Sequence, residues 1–209
     1  YDPELGIFTG DLDEYIMIEA PVEGATYVHG VDWAKEKDFT VIRTFRTDLD
    51  QWTEVSFLRT GRKAWNLMVD DLNNQLARYK GICVHDATGI GNVVDDLIEY
   101  DRKKVKPVVL RGRERESVFT EYIAGIEQYA LRSPRIQFAY SEHKYVTQKD
   151  LFGAGHPPDS FIAGALAWSV RKKAYRQLVR PVSVTKSSQW KVGSDVRDQS
   201  SIHVSRKIK

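Results

Sequence analysis

The sequence of 209 residues lacks several features that would point to particular classes of protein. It has a single cysteine, Cys83, which excludes an internal disulfide and a cysteine-rich zinc site and suits a reducing compartment. No apolar run approaches the roughly 18 residues of a membrane span, and the first residues do not form a signal-peptide pattern. We therefore expect no membrane segment. A hydrophobic content of 42% is enough to build one sizeable core.

The net charge is also small, at +2, but it conceals a strong polarity along the chain. Residues 1–30 contain seven acids and no bases, and residues 31–169 contain 20 of each. Residues 170–209 contain eleven bases and two acids. A basic C-terminal segment is a candidate contact for phosphate or another acidic partner, whereas an acidic leader is more suited to lie against protein. The alternative is that both ends are only solvated.

Hydrophobic periodicity predicts strands and helices in a regular order from residue 25 onward. The predicted strands are 27–34, 39–47, 51–59, 82–86 and 105–110, with a weaker one at 135–140. The predicted helices are 64–80, 91–99, 117–131 and 160–175, and 141–152 is a mixed segment with some helical character.

The connections between these elements predict the architecture. Short turns join the first three strands, which should therefore form an antiparallel meander. Two right-handed crossovers then place the fourth and fifth strands parallel to the first and next to it. The result is an α/β fold with a mixed five-stranded sheet flanked by helices, and the C-terminal ends of the parallel strands open on one common edge.

Acidic residues follow the strands at that edge. Asp32 closes the first strand and Asp86 closes the fourth, each on the face that the neighbouring apolar residues use for packing. Buried carboxylates of this kind cost free energy unless a metal or a donor meets them, and two at adjacent strand ends favour a cation between them. For each acid the alternative is a turn: Asp32 would begin the hairpin, and Asp86 would begin the turn into Thr88.

A third acid, Asp159, begins the last predicted helix and lies on the same helical stripe as Ile162, Ala163 and Leu166. If that helix starts near the open edge, three carboxylates converge there. Hard oxygen ligands with open positions suit Mg²⁺ or Mn²⁺, and two such ions could support phosphodiester hydrolysis. The alternative for Asp159 is a helix N-cap after the two prolines.

The segments that carry these acids resemble the C-terminal nuclease domain of tailed-phage large terminase subunits. They are residues 30–34 (GVDWA) followed by 38–41 (DFTV), then 84–91 (VHDATGIG), then 156–160 (HPPDS). The resemblance covers about residues 25–175 and implies a ribonuclease H-like fold, shared with resolvases and retroviral integrases. It also implies a metal-dependent DNA endonuclease that cuts concatemeric viral DNA when packaging starts and when the head is full.

Residue by residue, the resemblance implies that Asp32, Asp86 and Asp159 are metal-binding catalytic acids. It makes Asp38 a fourth acid near the site, a metal ligand directly or through water, with a charged hairpin residue as the alternative. Some members of the family have a further acid at the third motif, where this sequence has Pro158. This departure weakens the case for a second metal site.

The resemblance also implies partners. Large terminases carry an N-terminal packaging ATPase, but no G-x-x-x-x-G-K-[ST] phosphate loop occurs here, so we expect no nucleotide site in this chain. We divide the chain into an acidic leader at 1–24 that joins the absent ATPase domain, a nuclease domain at 25–176, and a basic tail at 177–209 predicted to be disordered. The implied partners are double-stranded DNA, the ATPase domain, the portal and the small terminase subunit, in the host cytoplasm.

Basic residues near the predicted site are candidates for DNA binding. Arg111, Arg113 and Arg115 follow the fifth strand and should lie in a loop beside the acidic edge, where guanidinium groups could hold phosphates. His156, three residues before Asp159, could assist proton transfer or product release, although a structural role is the alternative.

A second basic group follows the third strand and comprises Arg59, Arg62 and Lys63. We expect this group at the opposite edge of the sheet. Arg62 and Lys63 are nevertheless kept as candidate DNA contacts.

Three other functions compete with this interpretation. The segment 88–93 (TGIGNV) suggests dinucleotide binding, but it lacks the third glycine and the expected acid, and the meander contradicts a doubly wound sheet. A resolvase- or transposase-type nuclease of the same superfamily would prefer branched DNA. A non-catalytic module that binds DNA or a portal would keep the acids only as remnants.

Overall fold

The computed structural model describes residues 14–34, 39–61, 63–88 and 94–171, which form seven strands and five helices. The strands are β1 (Glu14–Met17), β2 (Tyr27–Asp32), β3 (Thr40–Arg46), β4 (Trp52–Thr60), β5 (Gly81–Asp86), β6 (Val105–Val108) and β7 (Leu131–Arg132). The helices are α1 (Trp65–Arg78), α2 (Gly112–Glu127), α3 (Gln137–Tyr145), α4 (Gln148–Phe152) and α5 (Asp159–Trp168). Across those ranges, none of the helices is long and apolar enough to cross a bilayer.

One mixed sheet organises the chain, with the strand order β1-β4-β3-β2-β5-β6 and β7 paired with β4. β2, β3 and β4 form the predicted antiparallel meander, and β5 and β6 continue the sheet in parallel from β2. The predicted five-stranded mixed sheet is therefore confirmed. This arrangement is not a doubly wound parallel sheet, although the glycines of the segment that suggested a dinucleotide site lie outside the described residues.

Two short strands extend the predicted sheet. β1 pairs antiparallel with β4, and the two-residue β7 pairs parallel with the start of β4. Tyr15 and Met17 of β1 are exposed, as is common on an edge strand, so the buried alternation that identifies a strand in a sequence is weak there. The strand lies inside the segment that the sequence assigned to the acidic leader.

The helices differ from the predicted ones in three places. The weak strand predicted at 135–140 is wrong, because α3 begins at Gln137 and buries Ile136 and Ala139 at helical spacing. α2 begins at Gly112, five residues earlier than predicted, so the predicted loop arginines at 113 and 115 lie in a helix. Of the helix predicted at 91–99, the described residues 94–97 form turns.

The core lies on both faces of the sheet. α1 packs on one face against Val31 and Cys83, and α2 and α5 pack on the other against Val28 and Val84. Every residue of α5 from Ser160 to Trp168 is buried, so α5 is enclosed on all sides. A Cβ at Gly30 would lie only 1.8 Å from the carbonyl oxygen of Ala163, so α5 lies directly on the β2 backbone at this glycine.

Candidate active site

Asp32 and Asp86 are the last residues of two neighbouring parallel strands, β2 and β5. The register pairs Val31 with His85, so the next positions are the two acids. Asp32 is 5% exposed and Asp86 is 3% exposed. Both carboxylates belong to the sheet face that α5 covers, because alternate residues of a strand share a face and Val28 and Val84 pack there.

Asp159 reaches the same edge from the covering helix. α5 comes closest to β2 where Ala163 lies on Gly30. From this point Asp159 is about 6 Å away along α5, and Asp32 is roughly 7 Å away along β2. A hydrogen bond shows towards which end of β2 the helix α5 begins: the backbone N–H of Phe39, just before β3, donates to Oδ2 of Asp159 at 3.0 Å. Because Val41 of β3 pairs with Asp32, the start of α5 lies at the Asp32 end of β2.

The local contacts bear on two of the alternatives. The N-cap position of α5 is Pro158 and Asp159 is the first residue of the helix, and its carboxylate accepts a backbone N–H at the start of β3. Asp86 does form the predicted turn, since its Oδ1 accepts the backbone N–H of Thr88 at 2.7 Å. The Thr88 hydroxyl then accepts the N–H of Leu110 at 2.8 Å, so this turn also fixes the end of the β6 segment.

The carboxylate oxygens of Asp32, Asp86 and Asp159 are the type of ligand that a hard divalent cation prefers, but they do not form a closed three-ligand cage. In the parts of the chain that the structure describes, no three His, Cys, Asp or Glu side chains lie close enough together to hold one ion. Mg²⁺ needs no closed cage, since it usually keeps several waters and is bound by one or two carboxylates together with substrate phosphates. The buried pair of Asp32 and Asp86, with Asp159 on the adjacent helix, matches this kind of open site better than a tetrahedral zinc site.

Other predicted site residues have different surroundings. Asp38 and Arg62 lie outside the described residues. His156 is exposed in the segment that leads into α5, three residues before Asp159, and its role stays a prediction. His85, next to Asp86 in sequence, belongs to the opposite face: its Nδ1 accepts the indole N–H of Trp33 at 3.3 Å, and its Nε2 lies 2.8 Å from Asp95 Oδ1.

The three arginines after β6 differ from one another. Arg111 and Arg113 are exposed at the start of α2, at the edge where β6 ends. The positive end of the α2 dipole adds to their charge there. Arg115 is half-buried, donates to the backbone oxygen of Asp150 at 2.9 Å and stacks on Phe119, so its guanidinium links α2 to α4. Their binding to DNA stays a prediction.

Arg59 in β4 and Lys63 after it lie at a different edge from the predicted one. β4 is antiparallel to β3 and therefore runs in the same direction as β2, so its C-terminal end lies at the edge of Asp32. The register aligns Asp32, Val41 and Arg59 in one row across the three strands. Lys63 follows this end of β4, and its Nζ lies 3.6 Å from Asp71 Oδ2. The prediction that this group lies opposite the acids is wrong for Arg59 and Lys63, and Arg62 lies outside the described residues.

A buried ionic network behind the acids was not predicted from the sequence. Arg43 is 3% exposed and makes a two-pronged ion pair with Glu54, at 2.7 and 2.8 Å. It also donates to the backbone oxygen of Ser160, next to Asp159, and to the hydroxyl of Tyr122. The signal in the sequence was an arginine on the same strand face as Val41 and Phe45, where alternation calls for an apolar residue.

Glu142 of α3 completes this network from the other side. Its carboxylate accepts both the backbone N–H and the hydroxyl of Ser160, which places negative charge at the start of α5. His143, the next residue, is held neutral: burial and the charge of Arg43 lower its pKa to about 3. The first turn of α5 is thus fixed by polar contacts from β3 and α3.

Comparisons with known proteins identify the fold. No protein-family model matches the sequence, and no curated protein matches it. The structure is similar to the large terminase nuclease from thermophilic phage G20c with bound magnesium, with a TM-score of 0.63 and 19% sequence identity over 74% of this chain and 86% of that one. It is similar to the large terminase nuclease domain of Thermus phage P74-26, with a TM-score of 0.60 and 20% identity over 75% and 85%.

The nuclease domain of the large terminase of bacteriophage SPP1, solved with bound manganese, has a TM-score of 0.50 and 13% identity over 69% of this chain and 85% of that one. The chain therefore has the ribonuclease H-like fold that the sequence predicted. The similarity extends over most of each of these nuclease domains, so it is not confined to a common sheet.

Proposed function

We propose that this chain is the metal-dependent endonuclease domain of a viral DNA-packaging terminase, which cleaves concatemeric double-stranded DNA by hydrolysis with two metal ions. The observation that carries the proposal is the buried pair of Asp32 and Asp86 at adjacent strand ends, on the face covered by α5. The likeness to terminase nucleases solved with magnesium, zinc, cobalt and manganese supports it.

The chain's own residues hold and orient the ions. Asp32, Asp86 and Asp159 would bind Mg²⁺ or Mn²⁺, which when bound polarises a water and neutralises charge on the phosphodiester. The Thr88 N–H fixes the Asp86 carboxylate and the Phe39 N–H fixes that of Asp159, so neither has to reorganise when DNA arrives. Asp38 is included in the proposal as a further acid of this site.

Cleavage of plasmid DNA in Mg²⁺ or Mn²⁺ tests the activity. We expect the wild-type chain to nick and linearise plasmid, and both Asp86→Ala and Asp86→Asn to abolish this. The asparagine variant is the sharper one, because its side-chain oxygen can still accept the Thr88 N–H while the charge is lost. Asp70→Asn is the matched control, since Asp70 is exposed on α1 at the other face of the sheet. Undiminished cleavage by Asp86→Asn would disprove the assignment.

Thermal unfolding with added metal tests the site without activity. Mn²⁺ should raise the melting temperature of the wild type. At a Mn²⁺ concentration a hundred times the dissociation constant, binding adds about 2.7 kcal/mol to the free energy of unfolding. Asp32→Asn should lose this increment and Asp70→Asn should keep it. An equal increment in Asp32→Asn would show that the ion binds elsewhere.

The choice of DNA separates the related functions. A preference for branched over linear duplex would indicate a resolvase-type nuclease. DNA binding without cleavage under either metal would indicate a non-catalytic module.

Roles for residues 1–24 and 177–209 are proposed only from their charge. The acids of residues 1–24 suit a junction with a packaging ATPase domain, and the bases of residues 177–209 suit contact with DNA or the packaging machinery, including the portal and the small subunit. The site of action would be the host cytoplasm during viral assembly. A chain truncated after residue 176 that binds DNA with unchanged affinity and salt dependence would remove the tail from this account.

A further inference from the structure

Arg59 of β4 lies in the same row of the sheet as Asp32. Val41 of β3 pairs with both residues, and residues directly opposite one another across strands point to the same face. Val41 packs against Ala163 of α5, so this is the face that carries the acids. At two strand spacings, the Cα atoms of Arg59 and Asp32 are roughly 10 Å apart.

Two aromatic rings hold the guanidinium of Arg59 in place. Its central carbon lies 3.2 Å from the centroid of the Phe39 ring and 4.7 Å from that of Phe138 in α3. The N–H groups of a guanidinium lie in its own plane, so a guanidinium that lies flat on a ring directs them outward past the ring edges. Arg59 is half-buried, and within the described residues it makes no ion pair with a carboxylate.

This arrangement differs from that of the other arginine on the same face. Arg43 is buried, and its N–H groups are used by Glu54, Tyr122 and the backbone oxygen of Ser160. Arg59 is held by stacking on aromatic rings, which uses none of its donors. A planar, fixed fork of donors beside an acidic edge is suited to bind a phosphate in two-pronged fashion.

Phe39 connects this arginine to the catalytic acids. Its ring stacks on Arg59 while its backbone N–H donates to Asp159. A phosphate bound by Arg59 is thus placed relative to Asp159 through a single residue. Arg59 is two strands away from Asp32 and its guanidinium is held on the rings of Phe39 and Phe138, so a phosphate bound there lies beside the pair of Asp32 and Asp86 and suits a neighbour of the one that is hydrolysed.

We propose that Arg59 binds a backbone phosphate of the DNA next to the scissile one and so positions the strand over Asp32 and Asp86. This inference rests on the nuclease function proposed above. Arg59 is a substrate-positioning residue, so its loss should weaken substrate binding and leave the chemical step largely intact.

The test combines DNA binding at several salt concentrations with steady-state cleavage of the same linear duplex by the full 209-residue chain. Arg59→Ala should weaken binding by about tenfold and make the plot of log affinity against log salt shallower by roughly 0.9, the value for one phosphate contact. It should raise KM by a similar factor, with kcat within about twofold of wild type.

Arg78→Ala is the matched control. Arg78 also contacts an aromatic ring, that of Tyr15, but it belongs to α1, which covers the other face of the sheet from Arg59. This variant should keep the wild-type affinity, salt slope and KM. If Arg59→Ala proves unfolded in a thermal melt, Arg59→Gln takes its place, because a planar amide can still cover Phe39 without the charge.

The outcomes separate this inference from the proposed function. If the wild type binds and cleaves DNA while the folded Arg59 variant keeps its affinity and salt slope, Arg59 only clamps α3 to the sheet and the inference is wrong. The inference is also wrong if Arg78→Ala loses as much affinity as Arg59→Ala. If the wild type neither binds nor cleaves DNA, the proposed function itself fails first.

Discussion

The contact between Gly30 and α5 gives the sharpest prediction about how packing controls the site. In Gly30→Ala, the new Cβ would lie 1.8 Å from the carbonyl oxygen of Ala163 and 2.6 Å from the backbone nitrogen of Ala167. Contacts under 3.0 Å are essentially never seen for a Cβ, and both partners are backbone atoms of an enclosed helix. α5 must therefore move away from β2 by at least about 1.2 Å, or the strand must bend.

This shift has two measurable consequences. Overpacking of a tight core costs about 1–3 kcal/mol, and each kcal/mol lowers the melting temperature of a chain of this size by roughly 2–4 °C. Because Asp159 is at the start of α5, the shift also moves its carboxylate relative to Asp32 and Asp86. A displacement of about 1 Å in a catalytic constellation can reduce the rate by about a hundredfold.

The assay compares Gly30→Ala with Gly81→Ala by urea unfolding and by plasmid cleavage at a temperature where both are folded. A Cβ at Gly81 would lie 2.0 Å from the carbonyl oxygen of Tyr27, so this variant suffers a similar clash, but at the start of β5, away from the acids. We expect both to lose stability and only Gly30→Ala to lose most of its cleavage. Wild-type stability of Gly30→Ala would refute the packing argument, and equal cleavage by the two variants would refute the link to the site.

Two further predictions concern stability. Glu54→Ala should cost about 3–5 kcal/mol in urea unfolding, because it leaves the Arg43 charge buried without its partner, and a loss under about 1 kcal/mol would contradict this. His29 is buried, and burial lowers its pKa from 6.5 to about 4, so the unfolded chain binds more protons between these values. The contribution of His29 to stability should therefore fall by roughly 3 kcal/mol as pH drops from 6.5 to 4, and His29→Gln should remove this part of the profile while the part due to His143, whose pKa is also lowered, remains; an unchanged profile would contradict the assignment.

Much of the fold could be predicted because its signals are local. The alternation in β2 to β4, the short turns between them and the spacing of apolar residues in α1 and α5 are properties of neighbouring residues. The three acids were selected as candidates for the same reason, since each ends or begins an apolar element. α3 was missed because its buried side is short: Ala139 is its only fully buried residue.

The edge at which Arg59 lies could have been deduced from the predicted meander, because the third strand of a meander runs in the same direction as the first. Its binding partners could not. Phe39 and Phe138 are 20 and 79 residues away from Arg59, and only the packing of α3 on the sheet brings both rings to one guanidinium. The Arg43 network was likewise beyond reach, as it joins β3, β4, α2 and the start of α5.

The sequence by itself determined the order of β2 to β6, α1, α2 and α5, the mixed sheet and the positions of Asp32 and Asp86 at the ends of their strands, because hydrophobic periodicity and the position of a charge after a strand are readable over a few residues. The tertiary structure decided which partner each acid and each arginine has. Asp159 accepts the backbone N–H of Phe39, and Arg43 pairs with Glu54. Arg59 is fixed by stacking, with no carboxylate as its partner in the described residues. These pairings join residues that are far apart in the sequence. The distances between the paired side chains are set by how closely α5 and α3 pack on the sheet.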